Sequence, residues 1–377
     1  MKFIKIILVL FFIAAAVVTG LYFVRPDFFN RHETLFASDS AMPIQLDDNA
    51  KMHFFRNGFA VTSGDTKFFT YDGAEMSLPF AQQDLENMGV QPIINMSTDN
   101  YVLVNNRYIY STSKIPFELV YEIPEEFDGW DIKELDDMLL FVLKDSNNQL
   151  KPQLLKKGDY IPADLSGMEH SSFLDASYGY SNKLISILTI ATDTPNPSTR
   201  VFYFADGNSP FGVLSLDDAA FYKIYNVQNR IALIGIHQIM CYNIDGSLMW
   251  SLHGPNSYIH QHAGINSELL LYFNKARFNK ANAVYINENG DMETMVFPSG
   301  LTSIQAYKDG YILALDKSNI AVISRKGSID RRYALNISPT RLYWTPFSPN
   351  NMYVIDRNNL LHTYILGKSG TRKDENT

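Results

Sequence analysis

The sequence predicts an all-β fold, an eight-bladed β-propeller preceded by a single N-terminal transmembrane helix. Three observations carry this prediction. A pattern of about 40 residues recurs along most of the chain. An uncharged apolar stretch lies near the N-terminus, and 13% of the 377 residues are aromatic. Because tyrosine and phenylalanine fit the pleated, half-buried surface of a sheet, the composition favours strands.

The N-terminal segment has the composition of a signal anchor. Lys2 and Lys5 precede the apolar run Ile6–Val24, which has 19 residues and no charge and ends at Arg25. About 20 apolar residues span a bilayer as a helix, and lysines before the run favour an N-terminus inside the cytoplasm. We therefore expect a transmembrane helix over residues 1–25, with the propeller on the extracytoplasmic side of the cell (inner) membrane.

A cleaved signal peptide is the alternative, because Ala14–Ala16 satisfies a small-residue cleavage rule. However, eight more apolar residues follow Ala16, a length that an anchor needs and a signal peptide does not. Cys241 is the only cysteine and lies deep in the chain, which argues against a lipoprotein anchor. Residues 26–41 resemble a polar tether, and the polar residues 367–377 are expected to be disordered.

The repeat occurs as eight units between residues 42 and 366. Each unit reads as a strand, a two-residue polar turn, an apolar strand, a variable loop, a second apolar strand, a turn that in most units contains glycine, and a last strand. The apolar strands after the polar turns begin 37 to 47 residues apart, as propeller blades do. The polar turns are Asn57-Gly58, Asp99-Asn100, Asp136-Asp137, Ser181-Asn182, Gln228-Asn229, Ser267-Glu268, Asp309-Gly310 and Asn350-Asn351.

The two ends of the repeat array predict how the ring closes. The last unit, Arg341–Leu366, has only three strands, and one spare strand-like segment, Met42–Leu46, precedes the first unit. We expect this segment to supply the fourth strand of the last blade, since closure removes the exposed edges of an open array. A seven-bladed ring is the alternative, if one weak unit is absorbed; the unit around Arg107–Tyr121 is the least regular.

One unit resembles a known class of repeat. Arg230–Leu252 reads RIALIGIHQIMCYNIDGSLMWSL, with an apolar strand, a strand ending in Asn-x-Asp-Gly, and a strand that carries tryptophan. It is similar to the PQQ-like, BamB-type eight-bladed propeller repeat, and Phe59–Leu78 and Tyr311–Leu335 are degenerate versions of it. The class includes quinoprotein dehydrogenases and scaffold lipoproteins, so the resemblance implies the fold and either kind of function.

The sequence differs from the quinoproteins of that class in ways that argue against a quinone cofactor. Quinoproteins repeat a tryptophan in most blades, whereas this chain has only Trp130, Trp250 and Trp344. It also lacks the vicinal cysteine pair that helps to clamp the quinone in the alcohol dehydrogenases of the class. We therefore expect no quinone cofactor.

Charge and motifs exclude several functions. The net charge of −8 argues against general nucleic-acid binding, which needs a basic surface, and no P-loop, nucleophile elbow or zinc-protease motif is present. Seven acidic residues fall within residues 125–137. We interpret this stretch as a solvated face, with calcium or a basic partner as the alternatives.

The longer loops are predicted on one face of the ring, where second-to-third-strand loops and blade-to-blade connections meet. Function concentrates on loops that a rigid scaffold carries, although these loops would also read as tolerated insertions. The long segments are Phe80–Pro92, Lys144–Gln149, Ala191–Thr199 and Lys275–Asn282. The candidate binding residues within them are Lys275, Arg277, Lys280, Asp193 and Asn196.

Four histidines are candidate metal ligands. His260 and His262 are two apart on a predicted inner strand, and His237 and His253 fall in neighbouring loops on the same face. Four imidazoles near a channel mouth suit zinc or another transition metal. The alternative is that they are unconnected polar side chains in a water-filled channel, and no other cofactor is indicated.

The leading hypothesis is a membrane-anchored extracytoplasmic propeller that acts as a protein-binding or scaffold module. Its expected partner is another envelope or membrane protein. The alternatives are a quinoprotein-like or metal-dependent propeller enzyme that uses the four histidines, and a purely structural spacer. Because propellers host both kinds of function, the fold does not decide between them. The lack of a catalytic motif favours a role other than catalysis.

Overall fold

The computed structural model describes residues 33–37 and 44–368 with short gaps. The gaps are residues 48, 64, 89–91, 97, 136–137, 147–148, 159, 161, 180–181, 197, 206–208, 218–219, 254–260, 266–267, 274–280, 309–310 and 325. The predicted transmembrane helix and most of the predicted tail lie outside this part of the chain. Within it, no helix has the length and apolarity needed to cross a membrane.

The described strands form eight antiparallel sheets, each built from consecutive strands except for the last. The predicted count of eight blades is therefore confirmed, and the seven-bladed alternative is wrong. In blades 1 to 7 the first strand in the chain is innermost and the fourth is outermost, whereas in blade 8 the innermost strand is Pro339–Trp344 and the strands from the N-terminal part of the chain are outermost. The strands of blades 1 to 4 are Lys51–Phe55, Gly58–Thr62, Thr66–Phe69 and Glu75–Met76; Ile94–Asn95, Tyr101–Val104, Tyr108–Ser111 and Glu118–Glu122; Asp128–Leu135, Met138–Lys144, Leu150–Lys156 and Pro162–Asp164; Ser171–Gly179, Leu184–Ala191, Thr199–Phe204 and Gly212–Leu216.

The second half of the ring follows the same plan. The strands of blades 5 to 8 are Phe221–Val227, Arg230–Gly235, Gln238–Asn243 and Leu248–His253; Gln261–Ile265, Glu268–Tyr272, Ala283–Ile286 and Met292–Met295; Leu301–Ala306, Ile312–Asp316, Asn319–Ile323 and Ile329–Ala334; Pro339–Trp344, Asn351–Asp356 and Leu360–Lys368, together with Glu33–Ala37 and Ile44–Gln45. One short helix, Gln82–Met88, lies in the connection between blades 1 and 2.

Blade 8 closes the ring with strands from both ends of the chain. Ile44–Gln45, inside the predicted closing segment, pairs with Leu360–Leu361. A second strand, Glu33–Ala37, pairs along the same partner strand from Lys368 to Tyr364. This strand falls within the stretch that the sequence suggested as a tether. It is held by backbone pairing at an outer edge, which needs no apolar pattern, so composition did not reveal it.

The core lies between the blades. Eight clusters of buried apolar side chains occur among the described residues, one at each interface between neighbouring blades. In blade 2, Val102 and Val104 pack towards blade 1, whereas Tyr101 and Leu103 pack towards blade 3. Because successive side chains of a strand point to opposite faces and both faces are covered, the second strands read as continuous apolar runs.

Side chains of one inner strand cap the backbone of the next. The inner strand of each blade is a sheet edge, so alternate N–H groups face the channel without a strand partner. Ile224 N donates to Asp175 Oδ2 at 3.1 Å, and Asn226 N donates to Ser177 Oγ at 2.8 Å. Asp175 is buried and also pairs with Lys133 of blade 3. One carboxylate thus joins the inner strands of three blades.

The same arrangement recurs between blades 7 and 8. Leu342 N donates to Ser303 Oγ at 3.1 Å, and Trp344 N donates to Gln305 Oε1 at 3.3 Å. In both places two side chains, two residues apart on one inner strand, cap two N–H groups, two residues apart on the next. These caps supply hydrogen bonds that neither the sheet ladder nor the apolar clusters provide.

Candidate partner-binding face

The two faces of the ring differ in the connections that they carry. Because the strands of each blade are antiparallel, the second-to-third-strand loops and the blade-to-blade connections share one face, which we call the loop face. The short helix Gln82–Met88 lies in the connection between blades 1 and 2 on this face. The second-to-third-strand loop of blade 4 covers residues 192–198. On the opposite face, the third-to-fourth-strand turn of blade 4 covers residues 205–211 and is equally long, so loop length by itself does not distinguish the two faces.

Five of the described inner strands, those of blades 3, 4, 5, 7 and 8, shift register against the second strand at their loop-face end. Two of these shifts accompany a large exposed apolar side chain. The register between first and second strands shifts between Gly129 and Asp131 in blade 3, and between Phe173 and Asp175 in blade 4. A bulge inserts an extra residue and re-aims its side chain away from the two packed faces of the sheet. The inserted residues are Trp130 and Leu174, whose side chains are 55% and 40% exposed.

Blade 2 adds a third exposed apolar side chain at the same end. Ile93 directly precedes the inner strand and is 65% exposed. Its backbone is fixed on both sides by Asn105, since Asn105 N donates to Ile93 O at 2.7 Å and Ile93 N donates to Asn105 Oδ1 at 2.8 Å. Asn95 Nδ2 then reaches Trp130 O at 3.5 Å. Three consecutive blades therefore present an exposed apolar residue, and we call Ile93, Trp130 and Leu174 the apolar row.

The apolar row has features of a protein-binding surface. Single exposed apolar side chains are common, but a group of them on neighbouring elements of a rigid scaffold marks an interaction site. Tryptophan is also among the residues that contribute most to binding free energy in interfaces. Lys144 Nζ lies 5.5 Å from the centre of the Trp130 ring, within the range of a cation–π contact that favours one placement of the indole.

The predicted binding residues fall into two groups. Asp193 and Asn196 lie in the exposed loop of blade 4, whereas Lys275, Arg277 and Lys280 lie outside the described residues. Arg200 Nη2 donates to both carboxylate oxygens of Asp193, at 2.8 and 3.1 Å. These bonds lower the pKa of Asp193 below its usual value, since they stabilise the charged form. Asp193 thus fastens the loop to its own blade.

The four candidate metal ligands lie on two blades. His237 is in the second-to-third-strand turn of blade 5, and His253 ends the outermost strand of that blade; both are exposed. His262 is on the inner strand of blade 6, and His260 lies outside the described residues. His253 is thus at the rim of the ring, across blade 5 from the channel. In the described part of the chain, no three or more His, Cys, Asp or Glu side chains form a group that could hold a metal ion.

A cavity of about 530 Å³ opens on the opposite face, among the first-to-second-strand turns of blades 2 to 4. Asn100 Nδ2 donates to Glu134 Oε2 at 2.8 Å, and Lys157 pairs with the other carboxylate oxygen. Asp99 keeps contact with water at the cavity mouth. Even so, partial loss of hydration, with a smaller effect of Glu134, raises its pKa to about 6.

Sequence reasoning missed this cavity because its residues come from separate blades. Glu134 belongs to the acidic stretch interpreted as a solvated face, yet its carboxylate bonds across to blade 2. The hydrogen bond between Glu134 and Asn100 forms because blades 2 and 3 are neighbours in the ring. The sequence around either residue does not show which blades are neighbours.

The sequence matches no protein-family profile and no curated protein. Several solved structures are similar in fold. BamB from Moraxella catarrhalis has 10% sequence identity and a TM-score of 0.48, with 89% of this chain and 99% of that chain covered. The Pan2 WD40 domain of Neurospora crassa has 7% identity and a TM-score of 0.45, with 73% and 89% covered.

A third similar structure is BBS1N, crystallised in complex with ARL6DN and soaked with lead. It has 10% identity and a TM-score of 0.45, with 89% of this chain and 98% of that chain covered. At these identities the similarity concerns the fold alone.

Proposed function

We propose that this chain is a membrane-anchored extracytoplasmic β-propeller that binds another envelope protein across its loop face. The observation that carries the proposal is the apolar row, in which Trp130 and Leu174 are turned out of the packed core by two equivalent bulges. A ring closed by strands from both ends of the chain holds this surface rigid. Rigid presentation lowers the entropy cost of binding.

The anchoring part of the proposal rests on the sequence. The uncharged run of 19 apolar residues, Ile6–Val24, has the length of a membrane span. Glu33–Ala37 lies on the outer edge of blade 8, so the chain would leave the anchor and join the propeller at that rim.

Comparative capture from membranes tests the binding role. The full chain and its Trp130→Ala, Leu174→Ala double variant are each expressed with an affinity tag in the source cell, and co-purifying proteins are quantified. Loss of two side chains that a bound partner would bury should lower recovery of that partner at least about tenfold. Such anchor side chains contribute about 2 kcal/mol or more to binding in interfaces. Asp72→Ala, in an exposed turn of the opposite face, is the matched control. Equal recovery from the wild type and the double variant would refute binding through this face.

Extraction of the same membranes tests the anchor. The full chain should stay in the pellet after alkaline washing, and a variant without residues 1–25 should be soluble. A wild-type chain that is released by the wash and has lost its N-terminus would instead identify a cleaved signal peptide.

A further inference from the structure

Acidic residues flank Trp130, the central member of the apolar row. Trp130 is flanked by Asp128 and Asp131, and Glu126 lies in the connection that leads into the same strand. Asp128 and Glu126 are exposed, and Asp131 is half-buried. Three carboxylates are thus carried within a few residues of the most exposed aromatic ring of the inner strands.

Other carboxylates nearby are already neutralised. Arg107 pairs with Glu122 at 2.8 Å and with Glu125 at 3.2 Å. Lys151 pairs with Asp145 at 3.0 Å, and Asp193 is bound to Arg200. By contrast, in the described part of the chain, no ion pair involves Glu126, Asp128 or Asp131. The charge that remains around the apolar row is therefore negative, apart from Lys144 above the Trp130 ring.

We propose that the loop face recognises a partner segment in which apolar anchor residues are flanked by lysine or arginine. This inference rests on the proposed binding role of the loop face and adds the chemistry of its partner. The anchors pack against Trp130 and Leu174, and the flanking cations meet the carboxylates of Glu126, Asp128 and Asp131. Protein interfaces usually have apolar contacts at the centre and charged residues at the rim. The charged residues set the specificity and the association rate.

The same charges exclude other occupants. A second copy of this chain would bring an identical acidic surface to the row, and the net charge of −8 adds a general repulsion between copies. Nucleic acid and acidic protein surfaces are repelled for the same reason. Carboxylates that form no ion pair within the described part of the chain thus favour a basic segment of a different protein.

Peptide binding to the full chain in nanodiscs of zwitterionic lipid tests this inference. The probe is a fluorescent peptide of about 10 residues with two central leucines flanked by lysines, the size of a short recognition segment. Its matched counterpart has glutamate at every lysine position. Binding is measured by fluorescence anisotropy at several salt concentrations, with empty nanodiscs as the background.

The lysine peptide should bind, and the glutamate peptide should bind at least about tenfold more weakly, as electrostatic mismatch costs more than 1 kcal/mol. Glu126→Gln with Asp128→Asn should weaken the lysine peptide several-fold and flatten its salt dependence. Trp130→Ala should weaken it at both low and high salt. Asp72→Asn with Glu75→Gln, both exposed on blade 1, removes two charges elsewhere and should leave binding unchanged.

No binding of the lysine peptide, equal binding of both peptides, or an equal loss in the blade 1 control would overturn the inference. If peptide binding shows no charge preference while partner capture still depends on Trp130 and Leu174, the binding role stands and only the basic partner is wrong. If capture is also insensitive to those two residues, the proposed function itself fails.

Discussion

At the residue scale, Asp175 is a buried charged side chain that joins the inner strands of three blades. Its side chain is 6% exposed, and its carboxylate pairs with Lys133 of blade 3 and accepts a hydrogen bond from Ile224 N of blade 5 at 3.1 Å. Lys223 Nζ also lies 3.7 Å from Asp175 Oδ2. Removal of one partner from a buried pair leaves the other groups desolvated and unpaired, which costs more than the pair gains when intact.

We therefore expect Asp175→Ala to lower the free energy of unfolding by about 3 kcal/mol. Asp193→Ala, which removes an exposed ion pair on the same blade, should change it by less than about 1 kcal/mol. Urea unfolding of both variants measures the difference. Similar values for the two would mean that the inner-strand contacts of Asp175 contribute little.

Asp99 gives a pH dependence of known sign. Its folded pKa of about 6 lies above the unfolded value of 3.8, so the folded state holds its proton to higher pH than the unfolded state does. Stability from this group is present at low pH and is lost as the pH rises through about 6. Asp99→Asn cannot ionise, and it should be more stable than the wild type at pH 7.5. The gain should stay below about 1 kcal/mol because the carboxyl keeps contact with water.

The comparison of thermal unfolding at pH 7.5 and pH 4 tests this. The advantage of Asp99→Asn should shrink as the pH falls, because the wild-type carboxyl becomes neutral as well. An advantage that grows towards low pH would show that the carboxylate, and not the neutral acid, is favoured in the fold.

At the element scale, some strands were predictable from sequence and others were not, for identifiable reasons. The second strand of each blade is covered on both faces. Such a strand, for example in Ile231–Ile236, can therefore be recognised in the sequence as a continuous run of apolar residues. The Asn289-Gly290 turn was equally legible, and Gly290 has a φ of +76° that suits a residue without a side chain.

The bulges that expose Trp130 and Leu174 were harder to predict from the sequence than the strands. A bulge depends on the register between two strands, and no local pattern around Trp130 or Leu174 reports that shift. The sequence therefore indicated the loop face but not the apolar row on it. Likewise, the cavity beside Asp99 exists only because three blades meet, which is a property of the ring.

The N-terminal strand Glu33–Ala37 supplies the next prediction. It covers the outer edge of Leu360–Lys368, the third strand of blade 8. A chain that starts at residue 38 should melt at a lower temperature than one that starts at residue 30, and limited proteolysis should cut it first in blade 8, since an uncovered edge strand frays. Identical melting and cleavage of the two chains would show that this pairing does not stabilise the ring.

At the scale of the whole molecule, the ring is a rigid scaffold whose two faces differ. One face has short first-to-second-strand turns and a polar cavity in which Glu134 bonds to Asn100 and Lys157. The other face carries the helix Gln82–Met88, the apolar row, and carboxylates beside Trp130 that form no ion pair with the residues that the structure describes. Since every blade is locked to its neighbours by its own apolar cluster, the row on blades 2 to 4 keeps its shape without a partner.

Site-specific photo-crosslinking tests the central claim, that the loop face binds another protein, most directly. A photoreactive amino acid replaces Trp130 in the full chain within membranes of the source cell, and a second chain carries it at Asp72, on the opposite face. We predict one discrete crosslinked protein from position 130 and none from position 72. No crosslink from position 130, or the same product from both positions, would mean that the loop face does not bind a protein through Trp130.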